Sequence, residues 1–309
     1  MSNFGIFLRG ILMGAADIVP GVSGGTMAFI TGIYARLLGS LRAFDMVCLR
    51  LVLRGDIRAA WAHVDGSFLL ALVLGIATSV LTLARLLSWL LENHPVPLWA
   101  FFFGLILASA LILLRQIERW SLSRICSLLL GVGIAVFIAL SPQVGLTVTL
   151  PMVFLSGFLA ICAMILPGIS GSFILVLLGM YGTVLAALKS LDLVFIVVFA
   201  CGAAVGLMCF SRILYWLLSR FHEVTMALLT GFLFGSLTVV WPWKQVLSWV
   251  TGSHGQPKPA QQMPVSPSEY LIMTGQDPQL LLCLLLIVVG FFAVWLIDFK
   301  WGGDRLELV

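Results

Sequence analysis

Two short runs of this 309-residue chain carry the residue types from which an anion site is made. They are Pro20-Gly-Val-Ser-Gly-Gly-Thr-Met-Ala28 and Pro167-Gly-Ile-Ser-Gly-Ser-Phe-Ile-Leu175, set 147 positions apart, and Gly32-Ile-Tyr34 answers Gly179-Met-Tyr181 at the same spacing. Proline suits the first turn of a helix, and Ser23 or Ser170 suits its N-cap. Glycines beside them let backbone N–H groups converge on one point without side chains in the way. A helix that starts there puts the positive end of its dipole behind that point. The candidate ligands are therefore Gly21, Ser23, Gly24, Gly25 and Thr26 in one run, and Gly168, Ser170, Gly171 and Ser172 in the other. Their natural guest is a phosphate or another small anion.

Three charged residues in apolar surroundings extend this set. Arg85 and Arg212 occupy matching places, because Gly75, Ala77, Leu87 and Trp89 correspond to Gly202, Ala204, Leu214 and Trp216 at a spacing of 127. A charge inside a membrane span is costly and marks function by default. Arginine also grips phosphate through a two-pronged fork that lysine lacks. The plainer reading is that both arginines snorkel to an interface. Asp17 lies three residues before Pro20, and its counterpart is Met164. A lone intramembrane carboxylate suits uptake of a coupling proton or cation, and it equally suits capping of a nearby backbone N–H; both readings stand.

The elements that must hold these residues are membrane helices. With 61% hydrophobic and 10% charged residues the chain carries far fewer charges than the roughly 25% of soluble domains. Apolar windows of spanning length, about 20 residues, cover 67–91, 97–114, 124–141, 192–218, 224–241 and 280–298. The motif regions 4–40 and 149–188 are apolar but broken in the middle. Broken backbone at membrane depth survives only where protein buries it or it lines a wet cavity, so each reads as a re-entrant hairpin, with a single broken span as the alternative. Each half, 1–141 and 142–309, is then a hairpin plus three spans. Three is odd, so the second half inserts upside down, giving an all-α polytopic protein of two inverted repeats with its substrate site at the midplane.

Basic segments give the orientation. Arg36, Arg42, Arg50, Arg54 and Arg58 fall in an amphipathic stretch, 36–66, that reads as a helix on an anionic membrane face. Arg115, Arg119 and Arg124 fill a later loop, and Lys300 and Arg305 follow the last span, so these segments and both termini belong in the cytoplasm. The opposite side receives Lys189, Lys244, Lys258 and a loop, 242–279, whose Pro, Gln and Ser content suits a flexible linker. Trp89, Trp99, Trp120, Trp216, Trp241 and Trp243 lie near span ends and read as an interfacial belt. The N-terminal apolar stretch, cut by Asp17 and Pro20, reads as retained rather than cleaved. Four scattered His and six Cys without a CxxC pair give neither a metal site nor a disulfide framework.

Gly14-Ala-Ala-Asp-Ile-Val-Pro-Gly-Val-Ser-Gly-Gly-Thr26, with Leu166-Pro-Gly-Ile-Ser-Gly-Ser172, resembles the bacterial polyprenyl-phosphate (undecaprenyl phosphate) transporters over nearly the whole chain. The resemblance implies a flippase-like transporter of the cell inner membrane, without enzymatic activity. It would return undecaprenyl phosphate from the outer to the inner leaflet, recycling the carrier of peptidoglycan precursors for envelope biogenesis. The phosphate would sit at Gly21–Thr26 and Gly168–Ser172, with the polyprenyl tail left in lipid. The partners implied are that lipid and the bilayer; no cofactor, metal or nucleic acid is expected. Two other readings stay open. Undecaprenyl-diphosphate phosphatases carry a related Pro-Gly-x-Ser-Arg-Ser-Gly motif, but Gly24 and Gly171 stand in the arginine place and no span holds paired glutamates. An inorganic-anion channel or exchanger would also use glycine-rich broken helices.

Overall fold

A computed structural model describes residues 2–18, 23–143, 147–251 and 257–301. The first half contains α1 (Asn3–Ile18), α2 (Gly24–Ile30), α3 (Tyr34–Arg42), α4 (Met46–Leu53), α5 (Ile57–His63), α6 (Gly66–Asn93), α7 (Pro95–Arg115) and α8 (Leu122–Leu140). The second contains α9 (Leu150–Ile165), α10 (Gly171–Leu177), α11 (Tyr181–Ser190), α12 (Leu193–Arg220) and α13 (His222–Ser236). The chain continues through strands β1 (Lys244–Thr251) and β2 (Pro257–Pro264), then α14 (Pro267–Thr274) and α15 (Leu280–Trp301). Five helices, α6, α7, α8, α12 and α15, are long and apolar enough to cross a membrane, or six with the bent pair α10–α11 counted as one span. This is a multi-pass membrane protein.

The element boundaries repeat as the sequence does. α9, α10 and α11 begin 147 residues after α1, α2 and α3, while α12 and α13 begin 127 residues after α6 and α7. Packing follows the same exchange: α1 lies on α6 as α9 lies on α12, and α7 meets α15 as α13 meets α8. Small residues allow these close crossings. A Cβ at Gly14 would stand 2.9 Å from Ser79 Cβ on α6, and one at Gly206 on α12 would stand 2.8 Å from the Ile161 side chain of α9. The glycine and its bulkier neighbour have exchanged helices between the two pairs. The crossing is kept while the residues that make it swap sides.

Four expectations need revision. The window 224–241 shortens to the 15 residues of α13, ended at Ser236, whose hydroxyl turns back on Leu233 O at 2.8 Å. α13 is buried among protein, so it need not cover the hydrocarbon by itself. The stretch 36–66 is not one helix but α3, α4 and α5. Asp45 accepts the N–H groups of Val47 and Cys48 to start α4, Gly55 turns with φ +73°, and Asp56 accepts Ala59 N–H to start α5. The loop 242–279 is structured: β1 and β2 pair antiparallel, and α14 opens with a Ser266–Glu269 capping box. The tryptophans divide. Trp89, Trp120 and Trp216 are about half exposed, as a belt requires. Trp241 and Trp243 instead donate to Val265 O and Pro278 O at 2.8 and 2.9 Å, while Lys244 Nζ lies 3.5 Å from the Trp99 ring centroid. Trp241 against Phe103, Trp243 in one cluster with Val96 and Ala100, and Lys244 over Trp99 tie this segment to α7. Arg305 lies outside the described residues.

Candidate anion site

The two motifs meet. Ser23, 1% exposed, caps α2 by accepting Gly25 N–H at 3.1 Å. Its own Oγ, as donor, lies 3.0 Å from both Met164 O and Leu166 O, at the end of α9. Thr26 Oγ1 accepts Gly168 N–H at 3.0 Å, and Tyr34 OH donates to Ile165 O at 3.1 Å. The carbonyls that α9 leaves unpaired at its C-terminus are thus taken up by hydroxyls from the other half of the chain. A buried carbonyl or N–H without a partner would cost about 1–3 kcal/mol, so these bonds hold the halves in register. Gly168 has φ +85°, a left-handed backbone that favours glycine.

Asp17 sits at this junction as well. Its Oδ1 accepts Gly24 N–H at 2.7 Å, which places a carboxylate where α2 offers its first donors. A Cβ at Gly24 would stand 2.5 Å from Asp17 Oδ2, so a larger residue there would push the carboxylate off this donor. The capping reading of Asp17 is the one this geometry displays. The described part of the first motif, from Ser23 on, is therefore already satisfied by the protein. All seven residues of α2 are buried.

The second motif is buried through Gly171, but α10 beyond it is more open than α2. Ser170 begins α10 without making a side-chain cap bond; its Oγ lies 2.8 Å from Ser172 Oγ instead. Only Gly171 and Leu175 of α10 are buried. Gly168, Ile169 and Ser170 line a small recess together with Ala135, Ser236 and Phe173. α10 and α11 then meet at 106°, the bend of a re-entrant loop or broken span.

The two arginines are placed differently. Arg212, half-buried on α12, donates from Nη2 to Phe44 O at 2.9 Å, at the turn between α3 and α4. Arg85 is exposed on α6, and among the described residues it makes no hydrogen bond or ion pair. Neither reaches the Ser23–Gly168 junction. Gly21 lies outside the described residues. Gly25 and Gly171 both approach backbone closely: a Cβ at either would stand 2.5 Å from a carbonyl of α9, Ile165 O and Ala160 O respectively.

Sequence reasoning missed the role of Tyr34: the Gly32/Gly179 and Tyr34/Tyr181 match was visible but had no role attached. Among the described residues no group of three His, Cys, Asp or Glu could hold a metal ion.

Residues 13–258 match the family described as VCA0040-like, undecaprenyl phosphate translocase-like. The chain belongs to that family. It is 48% identical over 290 residues to a polyprenyl-phosphate transporter of Vibrio cholerae, covering 94% of each chain. A polyprenyl-phosphate transporter of Staphylococcus aureus is 32% identical over 253 residues, covering 76% of this chain and 85% of the relative. No solved structure matches.

Proposed function

We propose that this protein carries undecaprenyl phosphate from the outer to the inner leaflet of a bacterial cytoplasmic membrane by alternating access, without cleaving it. The observation that carries the reading is the junction itself. Two matching broken helices meet through Ser23, Thr26 and Gly168, and α10 opens at Ser170 and Ser172. Moving a phosphate through hydrocarbon requires replacing its hydration shell, and an unreplaced shell costs many kcal/mol. The Ser170 and Ser172 hydroxyls at the start of α10, and the Gly24 N–H once Asp17 lets it go, supply the replacement at the midplane, while the polyprenyl tail stays in lipid. The names of the two relatives agree with this substrate.

The packing supports alternation. α3 lies across the halves on α12, joining Leu38 to the core that holds Leu214 and Leu218. Its counterpart α11 packs within its own half, with Val153, Met180 and Phe195, and among the described residues nothing comparable joins it to α6. With the basic α3–α5 side in the cytoplasm, this arrangement is sealed inside and looser outside. Arg85 then stands exposed on the outer side to meet an incoming phosphate, and Arg212 stands on the inner side. Asp17 holds Gly24 N–H until phosphate or a proton takes that place, which makes it the coupling candidate.

Proteoliposomes holding the full chain and labelled undecaprenyl phosphate test this. We expect transfer between leaflets to accelerate without release of phosphate, and Ser170→Leu to return it to the protein-free rate. Phosphate release would mean an enzyme, and no acceleration with wild type would overturn the proposal.

A further inference from the structure

A second cluster of cations lies away from the motif junction. Gly39, Arg42, Ala43, Asp45, His63 and Arg212 line an open cavity of about 420 Å³ where the end of α3 meets α12. The Arg42 guanidinium carbon lies 4.2 Å from the Tyr215 ring centroid, and Arg212 donates to Phe44 O. Both are held by neutral partners, a ring and a carbonyl. Among the described residues neither forms an ion pair, so two positive charges face the cavity against the one carboxylate of Asp45. The acid that lines the cavity is Asp45, which accepts Val47 and Cys48 N–H and lies 3.2 Å from His63 Nε2. The Cys48 N–H, first among these bonds, holds the Asp45 carboxyl below its ordinary range. Asp65, which follows α5, is bound to Arg36 at 2.7 Å. The cavity therefore presents a net positive lining with several unused N–H donors.

Its rim is apolar. Met46 (68% exposed), Leu53 (77%), Ile57 (60%) and Trp61 (47%) project from α4 and α5 without protein cover. Short helices with such a face lie in the headgroup region of a bilayer. α3 spans the distance from Tyr34, at the motif junction, to Arg42, at the cavity. Nine helical residues cover about 12 Å, so the cavity lies one short helix away from the junction, at membrane-interface depth.

We propose that Arg42, Arg212 and His63 form a second anion site, for a phosphomonoester at the membrane interface. Resting on the transport reading above, its occupant is the phosphate head of the carried lipid after it leaves the motifs. Two guanidinium forks match the three terminal oxygens of a phosphomonoester better than the single charge of a phosphodiester. The counterpart of Arg42 is Lys189 and that of Arg212 is Arg85, while α4 and α5 have no counterpart. The opposite side thus lacks both the second fork and the histidine.

Equilibrium binding of labelled undecaprenyl phosphate to the full chain in nanodiscs tests the site, with Ser170→Leu present to silence the motif. Binding should persist in Ser170→Leu and weaken about tenfold on adding His63→Gln or Arg42→Gln, the loss of one charge-assisted hydrogen bond. His63→Gln leaves the Arg42–Tyr215 contact alone, so a folding defect in Arg42→Gln would not decide the matter. Displacement by millimolar inorganic phosphate would show that the site also takes phosphate from water; failure to displace would restrict it to the lipid. Equal binding of phosphatidylglycerol, or unchanged affinity in both variants, would overturn the proposal. If wild type binds here but moves no lipid between leaflets, the site stands and the transport reading falls.

Discussion

The two copies of the Pro-Gly-x-Ser-Gly motif are nearly the same in sequence and different in surroundings. α2 is buried along its whole length, and its cap, Ser23, is bound across the molecule to the end of α9. α10 shows two buried residues, and its cap, Ser170, turns to Ser172 rather than to backbone. The difference comes from the partners. Thr26 and Tyr34 anchor the first copy on Gly168 and Ile165 of the second half, whereas the matching positions are Phe173, which has no hydroxyl, and a partly exposed Tyr181. Repetition of a motif therefore does not imply equivalence: one copy clamps the halves together and the other faces a recess.

The comparison can be broken most sharply by locking the helices beside the motifs. A cysteine pair replacing Leu38 and Leu214, on the sealed α3–α12 side, should cross-link on mild oxidation and abolish leaflet transfer until reduced. The matching pair at Leu185 and Leu87 should not cross-link in the same preparation. Equal cross-linking of both pairs would remove the asymmetry.

The caps come next in size. Ser23→Ala should lower thermal unfolding stability by about 2 kcal/mol, since it removes a cap and leaves α9 carbonyls without a partner. Ser170→Ala should change stability by less than about 0.5 kcal/mol, because no cap bond is lost, yet still slow transfer. Losses of the same size at both would mean that Ser170 is as structural as Ser23.

Smallest is the tyrosine pair. Tyr34→Phe should cost about 1 kcal/mol through the lost bond to Ile165 O, and Tyr181→Phe should leave the melting temperature unchanged. A matched pair of losses would place Tyr181 in a junction of its own.

Much of this could be read from residues alone. The 147-residue spacing of Pro20 and Pro167 is also the spacing between the starts of α1, α2 and α3 and those of α9, α10 and α11, and the spacing of Arg85 and Arg212 matches the starts of α6 and α12. Local chemistry suffices there, because proline, glycine and a capping hydroxyl begin and end helices wherever they fall. Asp45, Asp56 and Gly55 carried equally local signals for splitting 36–66, but a long amphipathic period obscured them. The hairpin at 242–279 was hidden for another reason. Its order depends on Trp241 and Trp243 reaching Val265 and Pro278, contacts far apart in sequence that composition cannot express.

The sequence by itself determined that the chain lives in a membrane, that two stretches of it repeat, and where α2 and α10 begin. All three follow from side-chain type and spacing along one chain. Only the tertiary structure decided which copy is already filled, by setting Asp17 on Gly24 and Ser23 on the end of α9. It likewise decided that Arg212 meets Phe44 while Arg85 stays exposed. Two residues in equivalent places along the chain acquire different partners when the halves around them pack differently, and that packing is a property of the whole fold rather than of the motif.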